Sequence, residues 1–179
     1  MLTALGQDRP GIVAHVTKIL YERGCNLEDS AMTRLGGEFA VMLVFWAPAR
    51  YTAAQLESAF APLSRQLKLA THLKALHRAE IAAHSAGKPH LISVYGADHP
   101  GIVYRVSELL ARLGINITDV STHRTSPRAR KASKPLYLML LEVELPARVG
   151  ISQLERQLGS LAKRLGVDVS LRQADTSIL

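Results

Sequence analysis

The apolar positions of this chain change their period in a fixed order, and the order is run through twice. Residues 2 to 5 and 90 to 95 are short extended runs that end at Gly6 and Gly96, which predicts a strand in each place. Behind each strand the apolar residues take up helical spacing. Ile12, Val13, Val16, Ile19 and Leu20 form one stripe, and Ile102, Val103, Val106, Leu109 and Leu110 form the other. Each stripe begins at a proline suited to a first helical turn, Pro10 or Pro100. Each stops at Gly24 or Gly114, the residue type favoured just past a helix end.

Second strands are predicted from about 26 to 35 and 115 to 125, and third strands from Glu38 to Trp46 and Leu136 to Leu145. Gly36-Gly37 fits a tight hairpin in the first copy, and the second copy has a longer connection. Further helices open with the capping-box patterns Thr52-x-x-Gln55 and Ser152-x-x-Glu155, and Pro62 is expected to kink or divide the first of them. Closing strands near 71 to 79 and 167 to 173 complete a βαββαβ order twice, an α+β class with antiparallel sheets and helices on one face.

The repetition is also literal. Shifted by 90 residues, Leu2 to Leu35 falls on Ile92 to Thr125 with 12 of 34 positions identical, among them Asp8/Asp98, Gly11/Gly101, Ile12/Ile102, Asn26/Asn116 and Arg34/Arg124. A period this long makes each copy a small domain, not a solenoid unit. The expected division is 1–81, a linker at 82–89 rich in small residues and closed by Pro89, and 90–179. In the third strand Phe39, Val41, Leu43 and Phe45 alternate with Ala40, Met42, Val44 and Trp46, so neither face is polar. Two helices cover one face of such a sheet. The other is expected to meet the second domain or another subunit, and a homo-oligomer is the expectation.

Composition narrows the chemistry. The chain is 47% hydrophobic and 21% charged, as ordinary globular proteins are. A lone cysteine, Cys25, offers no intrachain disulfide and reads as a small apolar filler. The amino terminus lacks a secretory pattern and no apolar run reaches the ~18 residues of a membrane helix, so a cytoplasmic protein without membrane contact is expected. The seven histidines show neither helical zinc spacing nor an HExxH pattern, and no nucleophile elbow, phosphate loop or dinucleotide fingerprint is present. No metal, cofactor or catalytic residue is therefore expected. The formal charge is +7, and Arg124, Arg128, Arg130, Lys131 and Lys134 supply much of it. That basic stretch reads either as a solvated loop or as a contact for an anionic partner through Arg128, Arg130 and Lys131.

The segments Gly6 to Val13 and Gly96 to Val103 stand where a strand gives way to a helix. Unpaired N–H groups at a helix start attract carboxylates, and Pro10 and Pro100 have none, so Gly11, Ile12, Gly101 and Ile102 are the expected donors. Asp8 and Asp98 could accept from an ammonium group, while Asn26 and Asn116 could both donate and accept. Such a set suits a zwitterionic amino acid. The alternatives are that the aspartates cap their helices and that the asparagines merely form turns.

Asp-x-Pro-Gly-Ile-Val followed by Gly-x-Asn-Leu or Gly-x-Asn-Ile, on this element order, resembles the ACT domain family. The tandem arrangement, with residues 28 to 40 of the first copy, is similar to the glycine cleavage system transcriptional repressors. The resemblance implies ferredoxin-like domains that bind an amino acid, glycine or serine among them, at the turn after the first strand. It further implies regulation through a partner transcription factor, with no direct binding to nucleic acid. ACT domains often accompany catalytic domains, but the two repeats take up this sequence, so no enzymatic activity is expected. The competing expectation is an RNA or other nucleic-acid binder, because RNA recognition motifs share the βαββαβ order. Phe39 and Tyr137 are the aromatics near the right place, and the central motif of that family is absent.

Overall fold

The computed structural model describes residues 1–76, 87–125 and 135–174. The chain divides into two compact units, Met1–Ala82 and Ala83–Leu179. The basic stretch with Arg128, Arg130, Lys131 and Lys134 lies outside the described residues, as do positions 82–86 of the expected linker.

The first unit runs β1 (Leu2–Gln7), α1 (Ile12–Glu22), β2 (Asn26–Leu35), β3 (Glu38–Trp46), α2 (Ala53–Leu67) and β4 (Ala70–Leu73). The second runs β5 (Lys88–Ala97), α3 (Ile102–Arg112), β6 (Asn116–Thr125), β7 (Leu136–Leu145), α4 (Ile151–Leu165) and β8 (Val167–Gln173). Each builds a four-stranded antiparallel sheet, ordered β2-β3-β1-β4 and β6-β7-β5-β8. This is the ferredoxin-like arrangement.

The cores are the predicted stripes. Leu2, Ala4, Val41 and Leu43 meet Ile12, Val16, Leu20, Phe60 and Leu63 in the first unit. In the second, Ile92, Val94, Met139 and Leu141 meet Val106, Leu110, Leu154 and Leu158. Each of these side chains larger than alanine contributes ~1.5–3 kcal/mol by leaving water, which is why the helices lie on one face of their sheet. The other face keeps apolar residues exposed: Leu5 at 49%, Met42 at 49% and Trp46 at 55%.

Several local expectations change. Pro10 and Pro100 precede the helices instead of sitting in their first turns, because Gly11 and Gly101 occupy the N-cap positions. Pro62 does not divide α2, which runs unbroken through it. The proline is exposed, so water can reach the Ser58 carbonyl that loses its partner. Thr52 forms the expected capping box with Gln55. Ser152 forms none, since the cap of α4 lies two residues earlier, at Gly150. β4 ends at Leu73, and positions 77–79 of the expected closing strand lie outside the described residues.

Candidate functional site

The duplicated glycines of the strand-to-helix corner do different work. At Gly6 a side chain would meet the Leu69 Cδ2 at 2.8 Å and the Lys68 carbonyl at 2.9 Å, and at Gly96 it would meet Val167 at 2.8 Å. These two are required for close packing of β1 and β5 against the segment after the second helix. Gly11 and Gly101 have φ of +91° and +97°, a left-handed conformation that a residue with Cβ adopts only under strain. They turn the chain into its helix without a capping side chain. The first helical bonds run from His15 N–H to Gly11 O and from Arg105 N–H to Gly101 O, both at 2.9 Å. The N–H groups of the turn ahead of them therefore point out of the helix end, where its dipole favours negative charge.

Asp8 and Asp98 are not the caps of these helices. Arg34 on β2 donates to the Asp8 carboxylate at 3.1 Å, and Arg124 on β6 donates to Asp98 at 2.7 Å. Strand pairing brings the arginines there: Arg34 stands opposite Phe39, and Phe39 opposite Gly6, on neighbouring strands. Each corner thus combines a helix start, a carboxylate and a guanidinium. In the first unit these groups line an open cleft of about 690 Å³, with Asp8, Arg9, Gly11, Ile12, Met32 and Arg34 in its wall.

Asn26 and Asn116 do not join this corner. They open β2 and β6 opposite Trp46 and Glu144, at the end of each sheet away from Gly6 and Gly96. Seven residues of β3 separate the two levels, roughly 24 Å at the rise of an antiparallel strand. At that separation Asn26 does not reach a ligand held at Asp8 within its unit, nor Asn116 one held at Asp98.

The two corners differ in their second layer. Arg9 donates to Gln7 Oε1 at 2.9 Å and lines the cleft, giving the first corner two cations and one anion. His99, at the matching position, turns back instead. Its Nε2–H donates to the Leu165 carbonyl at the end of α4 (2.8 Å), while Nδ1 lies 3.1 Å from the Pro100 carbonyl. Phe39 and Met32 are replaced in the second unit by Tyr137 and Thr122. The Tyr137 hydroxyl is buried near Asp98 and Thr122 without a hydrogen bond of good geometry, and burial pushes its pKa above the usual phenol value.

Phe39 is 2% exposed and packs into the core with the helices, so it offers no platform for a stacked base. Tyr137 likewise faces its own core. Cys25 is half-buried, and burial raises its thiol pKa against the opposing pull of Arg23 and Arg50. Among the described residues no cluster of His, Cys, Asp and Glu could hold a metal, and no helix is long and apolar enough to cross a membrane.

The family profile described as the ACT domain matches residues 1–74 and again 88–172. The chain is 27% identical to the glycine cleavage system transcriptional repressor of Escherichia coli strain K12, over 99% of this chain and 90% of that one. It is 37% identical to a UPF0237 protein of Pyrobaculum aerophilum, which spans 48% of this chain and is itself 87% covered. A crystal structure of an unknown protein from Galdieria sulphuraria is 25% identical, with a TM-score of 0.80, covering 97% of this chain and 96% of its own.

Proposed function

This chain belongs to the ACT domain family, and on that premise we propose that it senses an amino acid at its strand-to-helix corners and regulates gene expression through a protein partner. The observation that carries the reading is the aspartate–arginine pair beside a helix start, present in both units and opening on a cleft in the first. An α-amino acid has the complementary pattern. Its carboxylate fits the N–H groups of the first turn around Gly11 and Ile12, together with Arg9 and Arg34. Its ammonium group fits the lone pairs of Asp8 that Arg34 leaves free. In the second unit Asp98, Arg124, Gly101 and Ile102 offer the same set. Glycine and serine are the ligands of choice, because likeness to the Escherichia coli repressor over nearly the full length supports regulation of glycine cleavage or a related branch of amino acid metabolism.

The protein needs no catalytic group for this role, and we assign it none. Purified protein should show no turnover of folate or phosphoserine substrates. The direct test is a thermal-shift screen of the standard amino acids against the wild type and the Asp8→Ala and Asp98→Ala variants. A rise in melting temperature that is reduced in one or both variants supports the assignment. A rise that survives both substitutions together removes the corners as the site.

A further inference from the structure

The groove between α3 and α4 carries a charge pattern that the first repeat lacks. On α3, Arg105, Glu108 and Arg112 recur at intervals of three and four residues and so share one face. On α4, Gln153, Arg156, Ser160 and Arg164 form the facing stripe. Two clefts of about 300 and 490 Å³ lie along the groove, and both are walled by Arg112 and Arg164. Glu108 is their one acidic wall residue, and its carboxylate is already engaged by the Tyr104 hydroxyl at 2.9 Å and by Arg105 at 3.4 Å. Among the described residues Arg112, Arg156 and Arg164 pair with no carboxylate.

The duplication supplies an internal control. α3 and α4 together hold Arg105, Arg112, Arg156, Lys163 and Arg164 against Glu108 and Glu155, a net charge of +3. α1 and α2 hold Lys18 and Arg65 against Glu22 and Glu57, which cancel. The same fold is thus built without these arginines, and helix packing does not require them. Guanidinium groups crowded along one groove repel one another, at a small cost in stability that an anionic partner would reverse.

The shape of the cluster selects the kind of anion. Arg156 and Arg164 stand eight residues apart on one helix, roughly 12 Å along its axis, with Arg112 across the groove. A single phosphate or carboxylate cannot reach all three. Carboxylates repeated along one face of a partner helix can, since they follow the same spacing. Single-stranded nucleic acid gains much of its affinity from aromatic stacking. Tyr104, the aromatic residue beside the groove, is taken up by Arg105 over its ring at 5.1 Å and by Glu108 at its hydroxyl. We infer that this groove docks an acidic segment of a protein partner, whose aspartates or glutamates meet Arg112, Arg156 and Arg164. The inference stands independently of what the corner clefts bind.

Fluorescence anisotropy on the full chain tests it. The probe is a labelled helical peptide of ~12 residues with glutamates at i, i+4, i+7 and i+8. An oligonucleotide of equal net charge and inorganic tripolyphosphate serve as competitors. The wild type should bind the peptide, with affinity falling as salt rises. Arg112→Gln with Arg164→Gln should weaken binding about tenfold or more, while Lys18→Gln with Arg65→Gln in the first unit leaves it unchanged. Circular dichroism and melting curves establish that both variants fold. Absence of peptide binding, equal binding by the two double variants, or displacement of the peptide by the oligonucleotide at lower concentration than by unlabelled peptide would each overturn the inference.

Discussion

Arg34 and Arg124 are the residues on which the corner chemistry turns, because each holds its aspartate beside the first turn of a helix. Both pairs are partly open to solvent, with the arginine side chains 69% and 64% exposed, so each contributes no more than ~1 kcal/mol to folding. Arg34→Gln should therefore melt within a few degrees of the wild type. Its affinity for the amino acid should nevertheless fall about tenfold or more, as expected when a charge-assisted hydrogen bond is lost. Gly11→Ala does the reverse in stability. It forces a Cβ into φ +91° and should cost ~1–2 kcal/mol, read as a lower urea midpoint. The recurrence of Asp8, Gly11 and Arg34 is visible in the amino-acid sequence, and so is the helix start. The ion pair is not, because 26 residues separate Asp8 from Arg34 and only the strand order β2-β3-β1 brings them to one corner. Asn26 shows the converse. It recurs just as faithfully, yet the same strand order carries it to the far end of the sheet.

At the scale of elements, the two capping patterns look alike in sequence and behave differently. Thr52 accepts from the Gln55 N–H at 3.2 Å while Gln55 returns a bond to the Thr52 N–H at 2.9 Å. Thr52→Ala should cost ~1 kcal/mol in denaturant unfolding. Ser152→Ala should change the midpoint hardly at all, because Gly150 is the cap of α4 and Ser152 lies inside the first turn. A pattern of residue types locates a helix start to within a turn. Which residue becomes the cap depends on where the tertiary fit places Leu154, fully buried on the inner face of α4, and that fit is not written in the four residues of the motif. Most of each helix stripe is readable for the opposite reason: Ile12, Val16 and Leu20, like Ile102, Val106, Leu109 and Leu110, are buried against one sheet, so the period itself encodes the contact, while Val13 and Val103 stay exposed at the stripe edges. Pro62 does not end α2, because a helix on the surface can leave one carbonyl to water without breaking.

For the whole molecule, the sheet faces opposite the helices remain to be accounted for. Leu5, Met42 and Trp46 in the first unit and Tyr95 in the second are 47 to 55% exposed, an apolar surface of the kind that drives association. Sedimentation should find the wild type as a dimer or larger. Leu5→Lys with Met42→Lys should shift it toward a smaller species, and a wild type that sediments as a monomer would contradict this. Ligand sensing makes the sharper demand, since it requires the corners to be occupied by an amino acid. Isothermal titration of glycine and of serine into the wild type and into the Arg34→Gln, Arg124→Gln double variant tests that most directly. Saturable heat is expected for at least one of these amino acids with the wild type, and much weaker or no heat with the folded double variant. Equal heats for the two proteins, or no heat with either amino acid for the wild type, would contradict it.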